Sequence, residues 1–147
     1  MKRKALAVVS ASLSLILAAV LVTSAMASRD PFVGRWHSID ANPDHSNQTL
    51  SIGGSDPNYR VALYDDVESG NPECEDGPAL ATGTFSRDDD TLSGSFMLRC
   101  VANPSSLLGP FEGDFTYYPG DPADPADDTL IDTFSGSTWY RVQTPIP

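Results

Sequence analysis

The chain has 147 residues, with 20 acidic against 9 basic side chains, 2 cysteines and 40% hydrophobic residues, among them 6 Phe, 5 Tyr and 2 Trp. That is the balance of a globular chain, and the length predicts one domain. The lysines and Arg3 all fall in the first four residues, so beyond residue 27 there remain six arginines, no lysine and all 20 acids, a formal charge of −14. Such a chain is excluded as a general binder of nucleic acid or anionic membranes, which require clustered positive charge.

The N-terminus is basic over Met1 to Lys4, apolar from Ala5 to Val22, and then runs Thr23-Ser24-Ala25-Met26-Ala27. Small residues stand at the two positions a signal peptidase inspects. The pattern predicts a signal peptide over residues 1–27, cleavage after Ala27, and one domain over 28–147 that is secreted or otherwise exported. The alternative is a retained anchor, because an apolar run of about 18 residues can just span a bilayer. No cysteine lies near the cut to carry a lipid.

In an oxidising compartment Cys74 and Cys100 are expected to pair with each other, contributing roughly 3 kcal/mol in the chain-entropy model. A catalytic thiol would need a neighbouring base, and the chain offers only His37 and His45.

No helical period runs through the exported part. Eight stretches rich in Thr, Val, Ile, Leu and aromatics recur between turn residues: Phe32 to Asp40, Gln48 to Gly53, Tyr59 to Asp65, Leu80 to Arg87, Thr91 to Val101, Phe111 to Tyr118, Thr129 to Phe134, and Ser137 to Gln143. The breaks carry good turn chemistry, including Asn42-Pro43, Asp56-Pro57, Asp88-Asp89-Asp90 and Ser135-Gly136. Each gap is too short for a parallel crossover. The expectation is an all-β, eight-stranded antiparallel up-and-down barrel, since closure leaves no strand edge exposed.

Alternation assigns the faces. Leu92, Gly94, Phe96, Leu98 and Cys100 share one side of the fifth stretch, and Phe111, Gly113, Phe115 and Tyr117 one side of the sixth. Tyr59, Val61 and Leu63 do the same in the third. Glycines on the inner face suit a strongly curved sheet. A hairpin centred near Asp89 sets Leu80 opposite Leu98, and places Cys100 beside the residues just before Leu80, within reach of Cys74.

The first stretch contains Gly34-Arg35-Trp36 and the last Trp139-Tyr140-Arg141. In this the chain resembles the calycin superfamily, the lipocalins, fatty-acid-binding proteins and avidin-like barrels. Their first strand carries Gly-x-Trp, and their last supplies an arginine that packs over that tryptophan. By that resemblance Gly34, Trp36 and Arg141 are structural residues closing one end of a small helix-free bacterial lipocalin-like or avidin-like barrel. The physical sense is a cation over an indole face. The seven residues Ala41 to Asn47 are too few for the helical lid of fatty-acid-binding proteins, and no second, mid-chain lipocalin motif occurs.

Chemistry is sparse. His37 points opposite to Trp36, and His45 sits in a turn, so both are expected in solvent. No serine stands in a nucleophile elbow, and the acidic loops Asp88 to Asp90 and Asp121 to Asp128, though oxygen-rich loops can hold calcium outside the cell, lack the spacing of an EF-hand; the alternative is that their charges keep the turns solvated. No catalytic residue, metal ligand or cofactor is assigned, and the chain is not expected to be an enzyme. Two functions remain. One is a monomeric binding module taking a small, largely apolar ligand against Tyr59, Phe96, Phe115 and Tyr117. The other is an extracellular protein-interaction or inhibitor domain with a filled barrel, acting through its disulfide-tethered loops at Asp66 to Pro78 and Val101 to Pro110.

Overall fold

The computed structural model describes residues 30–39, 45–68, 71–75 and 77–143. The predicted signal peptide and cleavage site lie outside the described residues. Eight strands follow in order: β1 (Gly34–Ile39), β2 (Asn47–Ser55), β3 (Asn58–Asp65), β4 (Ala79–Asp88), β5 (Thr91–Cys100), β6 (Leu107–Tyr118), β7 (Thr129–Asp132) and β8 (Thr138–Arg141). Each pairs antiparallel with the next and β8 returns to β1, closing an up-and-down barrel. The only helical turns among the described residues are single 3-10 turns at Pro72–Cys74 and Pro125–Asp127, each entered from an Asn or Asp side chain that accepts a backbone N–H.

The stagger of the barrel follows from the register. Stepping across partners from Tyr118 through Thr129, Tyr140, His37, Thr49, Tyr64, Leu80 and Arg99 returns to β6 at Leu107, eleven residues from the start. A stagger of that size goes with strongly tilted strands. It contains one bulge, where Met97 faces both Gly109 and Pro110, with Gly109 at φ +117°.

The core fills the half of the barrel nearest the chain's first described residues. Phe32, Trp36, Leu50, Tyr59, Leu92, Leu130 and Trp139 are wholly inaccessible, with Ile52, Val61, Phe85 and Phe115 close behind. Phe32 lies across this end as a plug, its ring 6.1 Å from that of Tyr59 and 5.8 Å from that of Tyr117. Close approach of the strands depends on glycine: a Cβ on Gly94 would meet the Thr84 carbonyl oxygen at 2.3 Å and Phe85 Cγ at 2.7 Å. Phe85 stands directly opposite Gly94 in the ladder, so its ring takes the space that a side chain would have used.

Most strand ends shift by one or two residues from the sequence pattern, and one register and two ends differ in ways that change the packing. The β4–β5 turn has two central residues, Asp89 and Asp90, with Asp89 left-handed at φ 51°, so Ala81 rather than Leu80 faces Leu98. That one-residue slip turns Leu80 outward, where it is 38% exposed. β6 begins at Leu107 because the Gly109-Pro110 break is a bulge within a strand instead of a loop. β7 ends at Asp132, leaving Phe134 in the following turn and 70% exposed.

β7 and β8 are four residues each, against twelve in β6. β6 pairs with β5 along its length but with β7 only over Phe115–Tyr118. Among the described residues, Leu107 to Gly113 therefore belong to a ladder on one side only.

Candidate functional site

The two ends of the barrel are chemically different, and together they decide what the interior can do. At the end where β1 starts and β8 finishes, the Arg141 guanidinium carbon lies 4.1 Å from the Trp36 ring centroid. The guanidinium donates through Nη1 to the Val33 carbonyl at 3.1 Å, through Nη2 to the Pro31 carbonyl, and through Nε to Asp128 Oδ2 at 3.1 Å. Trp36 donates its indole N–H to the Phe32 carbonyl at 3.0 Å, and the Tyr59 hydroxyl donates to Asp30 Oδ2 at 2.5 Å. The segment Asp30 to Val33 is thus fastened by three interior side chains. Gly34 carries φ 152° where this segment enters the barrel.

Burial, with the adjacent Asp30 carboxylate, pushes the Tyr59 hydroxyl above its ordinary pKa; burial and Asp128 do the same to Tyr117. Outside this end a groove of about 340 Å³ is lined by Asp30, Tyr117, Asp121, Asp128 and Arg141 among others; Asp128 is paired with Arg141, Asp30 accepts from Tyr59, and Asp121 accepts from the Ala123 N–H.

The opposite end is polar. Ser38, Ser46, Gln48, Asp65, Asp132 and Ser137 are all buried there. Asp65 accepts from Ser46 Oγ at 2.6 Å, Gln48 Nε2 at 2.8 Å and the Val67 N–H at 3.1 Å. Asp132 accepts from the Phe134 N–H at 2.8 Å and Ser135 Oγ at 2.7 Å. Each carboxylate ends its strand and holds the turn that follows, which is the local hydrogen bonding Asp favours. Strand parity carries a signal for both: Asp65 continues the inward set Tyr59, Val61 and Leu63, and Asp132 follows inward Leu130.

Cys74 and Cys100 form the expected disulfide, buried against Ala79 and Leu98. It ties the β3–β4 loop to the end of β5. Further ties join the loops of this end: the Glu68 N–H to the Gly77 carbonyl at 2.9 Å, the Val101 N–H to the Pro78 carbonyl at 2.8 Å, and Ser106 Oγ to the Glu73 carboxylate.

Between the two ends lies a cavity of about 30 Å³ lined by Val61, Leu63, Ala81, Phe85, Phe96, Gly113, Phe115 and Asp132. Space of that kind has room for about two or three water molecules, since each takes about 10–15 Å³ of it. The four aromatics assigned to a ligand belong to one hydrophobic cluster but do not line one cavity. Phe96 and Phe115 line this cavity, Tyr59 is buried among the core rings with its hydroxyl on Asp30, and Tyr117 faces the outer groove. They separate because Phe32, from outside the strands, fills the volume between Tyr59 and Tyr117. The indole N–H of Trp139 is buried without a partner among the described residues.

His37 and His45 are exposed. No three His, Cys, Asp or Glu side chains among the described residues converge to hold a metal ion. No described helix is long and apolar enough to cross a membrane.

The fold and its ends define a class: a closed eight-stranded antiparallel barrel, plugged by an arginine-on-tryptophan contact at one end and tied by a disulfide at the other. No protein-family model, curated protein or solved structure matches the chain.

Proposed function

We propose that this is an exported, non-catalytic, monomeric barrel of calycin type, with a filled interior, that acts on an extracellular protein through the loops of its disulfide end. One observation carries the choice of a protein partner over a ligand held inside the barrel: the interior cavity has about 30 Å³, whereas pockets for small organic molecules run to roughly 300–1,000 Å³. The loops supply what the interior does not. The described residues of 66–78 and the segment 101–106 are held by the disulfide, by backbone bonds and by Ser106 on Glu73, and a surface ordered beforehand loses less entropy on binding. The calycin assignment rests on Gly34 and Trp36 in β1 and on Arg141 of β8 over the Trp36 ring.

A second reading keeps a small apolar ligand, favoured by the half-buried Phe96 beside Phe115 on the cavity wall. The two separate in the native mass of the protein as secreted by its own host, never denatured. A bare mass, two hydrogens short for the disulfide, together with partner capture that is lost on reduction, supports the protein-binding reading. A mass excess that disappears on denaturation overturns it and restores the ligand.

A further inference from the structure

Among the described residues, the open side of β6 is the longest stretch of strand without a ladder partner. The final ladder bond on that side runs from the Thr133 N–H to the Asp114 carbonyl at 3.1 Å. Backbone groups alternate in direction along an antiparallel strand. Since Asp114 faces β7 and the Tyr117 N–H instead reaches the Asp90 carbonyl on the β5 side, Glu112 presents both its N–H and its carbonyl outward from the open side.

Side chains around this edge sort by face. Glu112 and Asp114 lie on the outer surface, while Phe111 turns to the barrel mouth, 37% exposed, its ring 5.7 Å from Phe96. Phe134, the most exposed large hydrophobic residue described, follows directly on Thr133 and so stands at the foot of the edge. Pro110 has no N–H, which together with the bulge shortens the usable ladder toward Glu112.

We propose that the open edge of β6, from Leu107 to Gly113, takes an extended segment of another protein as an added strand, with apolar residues toward Phe111 alternating with basic residues beside Glu112 and Asp114. The inference rests on the protein-binding function above and names its mode. Main-chain bonds supply the attachment and alternate side chains the selectivity. A basic partner follows from charge: two acids line the outer face of the edge, on a chain of −14 beyond residue 27. The same charge opposes a second copy, since β6 against its own mate brings Glu112 and Asp114 of both chains onto one face.

The test titrates the isotopically labelled exported protein with an octapeptide of alternating valine and arginine, followed by backbone amide shifts and hydrogen exchange. The expected result is protection of the Glu112 amide and shifts concentrated between Leu107 and Gly113. Glu112→Pro, which removes a donor that faces solvent in the free protein, lowers affinity by about tenfold, the worth of one net hydrogen bond. Glu112→Gln weakens binding only a few-fold and mainly at low salt. If the proline variant is unfolded, the same peptide methylated on alternate backbone nitrogens makes the comparison, and binding as tight as the parent's refutes the ladder.

Shifts confined to residues 66–78 and 101–106, with Glu112 unprotected, overturn the edge proposal and leave the loop-binding function standing. Failure of the peptide to bind overturns it as well. Protection of Glu112 that grows with protein concentration alone assigns the edge to a second copy and overturns the basic partner. A denaturable mass excess, by contrast, removes the underlying function.

Discussion

Replacing Arg141 by alanine tests the closed end of the barrel. Its side chain is 6% exposed and that of its partner Asp128 13%, so the pair is screened little by solvent. The change leaves the Asp128 carboxylate without its cation, though still accepting from the Gly120 N–H, takes the donor from the carbonyls of Pro31 and Val33, and uncovers the Trp36 ring. Breaking one side of a buried pair costs about 3–5 kcal/mol, and a desolvated cation over an indole contributes about 2 kcal/mol within that, not on top of it. We expect a loss near 4 kcal/mol, a large part of the ~5–15 kcal/mol of an ordinary domain. Urea unfolding followed by tryptophan fluorescence measures it, with Trp139 left to report when Trp36 is changed. Arg141→Lys recovers less than half, because a single ammonium cannot span three acceptors. The decisive quantity is the coupling between Arg141→Ala and Trp36→Leu, expected at about 1–2 kcal/mol. Losses that add to within roughly 0.3 kcal/mol would refute the stacking argument, leaving the two residues neighbours without energetic contact.

Two further outcomes follow from the interior. Gly94→Ala forces a Cβ to 2.3 Å from a backbone oxygen, so urea midpoints should show a loss toward the upper end of the ~1–3 kcal/mol typical of overpacking; an unchanged midpoint would mean that the β4–β5 ladder is looser than described. Tyr59 and Tyr117 both have raised pKa values, so the unfolded chain ionises its tyrosines first as pH rises through the ordinary value of 10.0. Their contribution is whole below that pH and is lost above it, so stability falls in alkali, and Tyr59→Phe flattens the fall in a pH series of denaturation curves.

The strands were legible because a half-buried strand must alternate and a turn must use particular residues. All eight stretches correspond to strands, and the disulfide joins the expected cysteines. The slip at Leu80 shows where the pattern is blind: residues 79–82 read Ala-Leu-Ala-Thr, in which the large side chain faces solvent and small ones face the core. Only the two-residue turn at Asp89 and Asp90 decides that register. The start of β6 was hidden for a related reason, since Gly109-Pro110 has the composition of a loop and the geometry of a bulge.

At the candidate site the residues of each end were visible and their separation was not. Phe96, Phe115, Tyr59 and Tyr117 share the inward parity of their strands, which suggested one lining. Parity says which face a side chain takes but not what else occupies that volume, and here Phe32 arrives from beyond the strands to occupy it.

By itself, the sequence determined the local matters: an export-type leader pattern, eight short strands, antiparallel order and the pairing of two cysteines, all of which depend on neighbours a few residues apart or on a count. Tertiary structure alone decided how full the barrel is, which end is polar, and that short β7 and β8 leave one side of β6 open. Those properties depend on volumes and lengths compared across strands whose paired residues lie from 11 to 105 positions apart in the chain, and no local pattern carries that comparison.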